Sequence, residues 1–448
     1  MSTQAASAAT TPVGTLIDAH GWSGYQKWLL VLASLAFLAD GIANQALGLA
    51  VPALMGDWKL PREAFASVTA IGLIGLTIGA ATGGWLGDKI GRRRMLIGST
   101  LLFGVMTLAA ARAVSVDGLF WLRFFDGLGI GAAIPNGAAL IAEFTPVRRR
   151  TRAIAIGMVC IAVGSVLSGL VASVILPSLG WRGLFQTLGA VTIGCAVLFA
   201  LLLPESPFYL ARRGGNQATL RNTLSRCGIV VPESSVVTAG DGVVRSQVAT
   251  LFAAGTGLST TALWVAFFFC LLASYAMFSW VPAMLVSLSF PLSMASLGIT
   301  AFGIGGIVGG VASGWFIERL GSRPSVLGLA AGAAGSALLL GLLIRAGIGQ
   351  VAPLFAALAV QGFFVSGLHN GLYTLAAHIY PPYARGTGVG AAAAVGRLGA
   401  IASSWVGVFA LQLGGAASYF LVIASSVAVS FVALMMIRRE HHIALTRP

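Results

Sequence analysis

Three ionisable residues stand where the surrounding sequence is made for lipid. Asp40 interrupts the apolar run "LAFLADGIANQALGLAVP", and Arg123 and Asp126 interrupt a second run, "LFWLRFFDGLGIG". A lone charge at the centre of a bilayer costs roughly 3 kcal/mol or more, so such residues pair with one another or line a watery path. A spacing of three puts Arg123 and Asp126 on one helical face, about a turn apart. Burial raises the proton affinity of a carboxyl group and a nearby guanidinium lowers it. A movement of the arginine would therefore switch proton uptake on or off. The expected chemistry is proton coupling, with Asp40 as the carrier, Arg123 pairing in turn with Asp40 and with an anionic substrate, and Asp126 tuning the pair.

A second set of residues suits the binding of a small solute. Polar and aromatic side chains expected near mid-depth are Asn44, Gln45, Asn136, Tyr275, Trp280, Gln361, His369, Asn370 and Tyr373. The densest cluster is "SGLHNGLYTLAAH", in which His369 and Tyr373 lie four apart on one face. A benzoate-like ring would stack on a tyrosine or tryptophan while Arg123 or a histidine meets its carboxylate. His378 is placed at a helix end instead.

These residues need helices to hold them at depth. The chain has 448 residues, 57% hydrophobic and 9% charged, with a mean hydropathy of +0.91, against about 25% charged residues in a soluble domain. Twelve apolar runs of spanning length are expected, six on each side of a long polar stretch. The expected division is a terminal segment over 1–27, a six-helix bundle over 28–203, a central loop over 204–259, a second bundle over 260–437 and a tail over 438–448. No cleaved leader is expected, because residues 1–27 are small and polar and the first apolar run is long enough to span. With the first span starting near Trp28, Asp40 lies about 18 Å into a core about 30 Å thick. The fourth span descends from the other side, which brings Arg123 and Asp126 to about 8 and 12 Å below that edge and so near the height of Asp40.

The net charge of +14 invites a nucleic-acid reading, and its placement removes it. Lys89, Arg92, Arg93 and Arg94 follow the second run, Arg148, Arg149, Arg150 and Arg152 follow the fourth, and Arg212, Arg213, Arg221, Arg226 and Arg245 fall in the central loop. The loops of the other side hold only Lys59, Arg62, Arg112, Arg182 and Arg345. That asymmetry is the positive-inside rule, and it puts both termini in the cytoplasm. Cys160, Cys195, Cys227 and Cys270 follow no disulfide or zinc spacing. The glycines of "GLGIGAAIPNG" continue an apolar helix without a preceding strand, so they serve helix packing rather than phosphate binding.

The two halves echo each other. Gly84, Trp85, Asp88, Lys89, Gly91 and Arg93 in "GGWLGDKIGRRRML" reappear 230 residues later as Gly314, Trp315, Glu318, Arg319, Gly321 and Arg323 in "SGWFIERLGSRPSVL". "TPVRRRT" and "YPPYARGT" form a second echo. A duplicated six-helix unit is a transporter architecture.

"GGWLGDKIGRRR" resembles the loop signature of the major facilitator superfamily. "RFFDGLGIGAAIPNGAALIAEFTPVRRR", "GWRGLF", "LPESPFYL" and "YPPYARGTGVGAAAAVGRLGAI" make the chain most similar to the aromatic-acid/proton symporters, with sugar porters more distant. The resemblance implies an all-α integral membrane protein of twelve transmembrane helices in two six-helix halves, the major facilitator fold. It also implies a cytoplasmic gate of Asp88, Arg92, Glu143, Arg150, Glu318, Arg385 and Arg397. Glu143 and Arg397 are expected at a similar cytoplasmic depth, where they would pair between halves. In one respect the chain departs from its relatives: their first helix carries D-G-[FY]-D, whereas "DGIAN" supplies only Asp40 and Gly41.

The expected function is secondary active transport by alternating access, with proton-coupled uptake of a small organic anion such as a hydroxybenzoate. Its partners are the anion, protons and the lipid bilayer, with no nucleic acid, no metal and no cofactor beyond the proton. It is expected to act as a monomer, in the inner (cytoplasmic) membrane. A proton-driven carrier of a dicarboxylate, sugar or drug would share the bundle. An intramembrane enzyme would cluster acids or histidines at one membrane face, and no such cluster occurs in the sequence. A sensor would bind without accumulating its ligand.

Overall fold

The computed structural model describes residues 10–213, 217–231, 236–238, 251–252, 257–347, 350–380 and 384–437. The expected tail over 438–448 lies outside the described residues, as do stretches of the terminal segment and central loop.

A short strand β1 (Thr10–Pro12) and helix α1 (Val13–Ala19) precede the helices α2 (Gly24–Trp58), α3 (Glu63–Ile90), α4 (Arg92–Ala110), α5 (Val116–Phe144) and α6 (Val147–Leu202). Two short helices, α7 (Pro207–Arg213) and α8 (Gln217–Arg226), and a strand β2 (Val236–Thr238) follow. The chain continues through α9 (Gly257–Ser287), α10 (Leu292–Leu320), α11 (Ser322–Arg345), α12 (Val351–Ile379) and α13 (Arg385–Met435). Among the described residues, ten helices are long and apolar enough to cross a membrane. Two of them are double. A continuous helix of 56 residues would be about 84 Å long, far more than one hydrocarbon core. α6 is broken at Gly180, where φ is 65°, and α13 is broken at Gly414 and Gly415, the latter with φ 66°. Glycine carries these turns because a side chain would clash at such φ. Twelve crossings result, and the side on which α2 starts is also the side on which α13 ends; we call it the basal face and the other the distal face.

Local sequence explains where the site-bearing helices begin. Ser23 and Gln26 form a capping box at the start of α2, with Ser23 Oγ accepting from the Gln26 amide at 3.3 Å and Gln26 Oε1 accepting from the Ser23 amide at 2.8 Å. Ser115 caps α5 by accepting from the Gly118 amide at 3.1 Å. Large apolar side chains such as Val105, Val197 and Phe409 point outward, while small residues meet inside, as membrane helices require. α3 and α5 lie so close that a Cβ on Gly127 would strike the Gly72 carbonyl.

The sequence echo has a structural counterpart. Gly91 and Gly321 end α3 and α10 at φ of 110° and 87°, and their amides donate to the carbonyls of Gly87 and Ile317. One turn earlier, Lys89 stands over the Trp85 ring at 3.8 Å and Arg319 over the Trp315 ring at 4.7 Å. The echo breaks one residue on. Asp88 pairs with Arg92, but the position 230 residues beyond Arg92 is Ser322.

The halves touch toward the distal face. A Cβ on Gly48 of α2 would meet the carbonyls of Phe278 and Ser279 on α9, Gly169 of α6 packs on Ser296 and Thr300 of α10, and Gln412 of α13 donates to Glu63 of α3 at 2.5 Å. Toward the basal face the ionic side chains pair within their own half.

A small basal layer covers the first half. β1 and β2 pair in parallel, Thr10 opposite Val236, and Val13, Ile17, Leu220, Leu224 and Val237 share one apolar cluster with Leu29 and Leu32 of α2. Burial pushes the Cys227 thiol of this layer up to about 11, which keeps it protonated. Asp18 Oδ1 accepts from the Val147 amide that opens α6, at 2.7 Å. Glu205 Oε1 accepts from the Arg93 amide in the first turn of α4, at 3.0 Å. Each carboxylate satisfies a helix-end amide and complements the positive end of the helix.

Candidate functional site

The charged centre lies between α2, α5, α9, α12 and α13. Arg123 Nη1 donates to Asp126 Oδ2 at 2.5 Å, and Thr107 of α4 donates to Asp126 Oδ1 at 2.9 Å. Arg123 and Asp126 are 7% and 1% exposed. In this structure Arg123 is paired with Asp126 and not with Asp40, its expected partner at one stage of the cycle. The physical reason is that a same-helix i,i+3 pair is held by one backbone, whereas the pairing with Asp40 must bridge two helices. Asp40 is 3% exposed and its Oδ1 has no hydrogen-bond partner.

Arg397 is a cation within electrostatic range of Asp40. Twelve residues into α13, Arg397 lies about 18 Å from the basal end of that helix, a depth that corrects its expected place in the gate. Glu143, in the last turn of α5, is bound instead by Ser206 and by Arg92, whose Nε is at 3.6 Å. The neighbour of Arg397, Gly396, packs on Phe267 and Leu271 of α9, and Phe267 meets Tyr373 edge to face at 5.1 Å. His369 lies 5.5 Å from Tyr373. Arg397 acts electrostatically on Asp40, Tyr275, His369 and Tyr373 together. Among the described residues it has no carboxylate within ion-pair distance.

A polar cavity adjoins this centre on its distal side, with about 470 Å³ of empty space including its open mouth. Asn44 and Gln45 of α2, Thr69 of α3, Arg123 of α5 and Tyr275 and Ser279 of α9 line it. Gln45 Nε2 and Arg123 Nε are buried donors without partners. Of the residues expected in the substrate pocket, Asn44, Gln45, Arg123 and Tyr275 line this one cavity, while His369 and Tyr373 are not among its lining residues.

The other expected pocket residues are elsewhere. Asn136 donates to the carbonyls of Gly83 and Ala132 at 2.9 and 2.8 Å and accepts from Arg92 at 3.4 Å, so it ties α5 to α3 near the basal end. Trp280 is fully buried against Gly407 of α13. Gln361, equally buried, accepts from Ser336 of α11 at 2.5 Å. Asn370 is exposed on the face of α12 that borders Gly310 of α10. Polarity at mid-helix marked all four, but helix rotation turns each away from the cavity.

The expected gate is assembled in part. Asp88 Oδ1 accepts from Arg92 at 2.6 Å and lies 3.7 Å from Arg212 of α7. Together with Glu143 these form one network inside the first half. Arg150 and Arg385 each keep a buried Nε without a partner, and Glu318 is exposed; the structure does not bring these three together. Ser206, Arg212 and Thr107 were not singled out from the sequence. The "PESP" turn before an amphipathic helix was the available signal for the first two, whereas a threonine in an apolar helix gives none.

A bundle of two related six-helix halves around a charged cavity defines a membrane transporter. The chain belongs to the Major Facilitator Superfamily, which it matches over residues 29–295 and 263–448. It is 32% identical to the 4-hydroxybenzoate transporter PcaK of Pseudomonas aeruginosa, over 90% of each chain. The gallate transporter of Pseudomonas putida is also 32% identical, over 90% of this chain and 91% of that one. The 3-(3-hydroxy-phenyl)propionate transporter of Escherichia coli is 31% identical over 86% of each. Among solved structures, the xylose transporter XylE of Escherichia coli in a partially occluded inward-open conformation has the same fold, with a TM-score of 0.73 at 19% identity over 93% of this chain and 99% of that one.

Proposed function

We propose that the protein imports small aromatic carboxylates together with protons, by alternating access, across the cytoplasmic membrane. The observation that carries this reading is Arg397, a guanidinium with no carboxylate partner among the described residues, next to the Gly396 that packs on Phe267 and Leu271 of α9 and within electrostatic range of Tyr275, His369, Tyr373 and Asp40, whose buried Oδ1 has no partner. An arginine binds a carboxylate through two parallel hydrogen bonds, and aromatic rings complete a site for a flat acid. The named substrates of the similar transporters, 4-hydroxybenzoate and gallate, are acids of this kind.

In this reading Asp40 carries the proton. With the substrate on Arg397, a protonated Asp40 leaves the pair neutral, and release of both on one side empties the site. In this reading the basal face is cytoplasmic, which the basic loops on that side support, and the contacts between halves toward the distal face support an inward-facing state. The network of Asp88, Arg92, Glu143 and Arg212 belongs to the cytoplasmic gate, and Arg150, Glu318 and Arg385 reach it when that side closes. The chain works as a monomer and needs no cofactor besides the proton.

The test is uptake into proteoliposomes, with and without an inward proton gradient, across hydroxybenzoates, phenylpropionates, dicarboxylates and sugars. Gradient-driven accumulation of the aromatic acids is expected. Accumulation of sugars or dicarboxylates in preference to them, or indifference to the gradient, overturns the proposal.

A further inference from the structure

We infer that the distal cavity is the subsite that recognises ring hydroxyl groups, so that Gln45, with Asn44, Thr69 and the Nε of Arg123, makes the protein select hydroxylated aromatic acids over benzoate. This inference rests on the reading that Arg397 holds the substrate carboxylate.

The two arginines are not equivalent. The charge of Arg123 is matched by Asp126 at 2.5 Å, and its buried Nε is a donor without a partner at the cavity. Arg397 has no such match. An incoming carboxylate therefore gains most at Arg397, and the far end of the molecule is left to the neutral donors and acceptors. The spacing along α9 fits this orientation. Leu271, beside Gly396 and so at the level of Arg397, Tyr275 and Ser279 follow one another at intervals of four on one face. Each interval rises about 6 Å, comparable to the length of a benzoate ring with its para substituent. A carboxylate at the level of Leu271 thus puts a para or meta oxygen one interval on, at the level of Tyr275 and of Gln45, which lies three residues before the Gly48 that packs on Phe278 and Ser279.

The cavity is chemically prepared for an oxygen. Gln45 is 4% exposed and its Nε2 has no partner, although the side chain lines the cavity. A buried donor left unsatisfied costs about 1–3 kcal/mol. A phenolic oxygen accepts from Gln45 Nε2 or Arg123 Nε while its proton is donated to the amide oxygen of Asn44 or the hydroxyl of Thr69. Benzoate has no group to offer there, and a site built to bind a hydroxyl discriminates against the analogue that lacks it.

The experiment measures how benzoate, 4-hydroxybenzoate and 3,4,5-trihydroxybenzoate compete with radiolabelled 4-hydroxybenzoate for uptake by the full-length protein in proteoliposomes. Wild type is expected to need about tenfold more benzoate than hydroxylated acid for half-inhibition, which corresponds to about 1.4 kcal/mol. In Gln45→Leu the ratio is expected to fall toward one. If Gln45→Leu does not fold, Thr69→Val, which removes one hydroxyl from the cavity lining at nearly constant size, is expected to lower the same ratio. An unchanged ratio in a folded variant, with all three acids still competing, overturns the subsite and leaves the carboxylate reading intact; the pocket then holds water only. If no aromatic acid competes in the wild type, the carboxylate reading itself has failed.

Discussion

Arg123 and Asp126, one turn apart on α5, form a 2.5 Å ion pair that leaves the carboxyl Oδ1 of Asp40 without a partner. One buried charge pair is closed and one acid is open, so the two aspartates have different work. Removing one partner of a buried pair costs far more than the pair itself contributes, because a charge is left unmatched. Asp126→Asn is therefore expected to destabilise the protein by about 3 kcal/mol, read as a clear fall in melting temperature of the detergent-purified protein. A melting temperature equal to that of wild type would mean that Arg123 finds another acid.

Asp40→Asn removes the open acid and keeps its size. Counterflow of preloaded substrate is expected to persist, since exchange needs no net proton movement. Accumulation driven by an imposed pH gradient is expected to disappear. Gradient-driven accumulation by Asp40→Asn would assign proton carriage to another residue.

Arg397→Ala is expected to raise the half-saturating concentration of the aromatic acid by roughly 10- to 100-fold, the range for hydrogen bonds to a charged group of about 1.5–3 kcal/mol. Arg397→Lys keeps the charge but loses the two-pronged geometry, so only part of the affinity should return. Binding to the purified protein, followed by scintillation proximity, separates this loss from slower transport. Equal affinity in wild type and Arg397→Ala would remove Arg397 from the site.

Gly127→Val places three side-chain carbons against the backbone of α3, where a Cβ alone already strikes the Gly72 carbonyl. The helices must separate, and Arg123 moves with its helix. Loss of a monodisperse peak in size-exclusion chromatography is expected. Gly98→Val, at a glycine of α4 with nothing within 4 Å of an added Cβ, serves as the control that should keep it.

The sequence by itself determined the class, the number of crossings and the presence of buried charge. Apolar runs of spanning length can only be helices in lipid, because every backbone amide must be satisfied within its own segment. The recurrence of Gly84 to Arg93 at Gly314 to Arg323 revealed the duplicated unit, down to the glycine that ends each helix. Asp40, Arg123 and Asp126 stood out because charge in an apolar run is costly. Which of these charges meet was decided by the tertiary structure. Pairing depends on how far each helix is rotated and at what depth each residue lies, and neither is set by spacing along a single helix. Arg397, read at the cytoplasmic depth of Glu143, lies about 18 Å along α13 instead, while Asn136, Trp280 and Gln361, polar or aromatic at mid-helix, are helix contacts. Thr107 and Asp18 show the same limit from the other side. Their roles come only from a partner brought near by folding, Asp126 for the one and the first amide of α6 for the other.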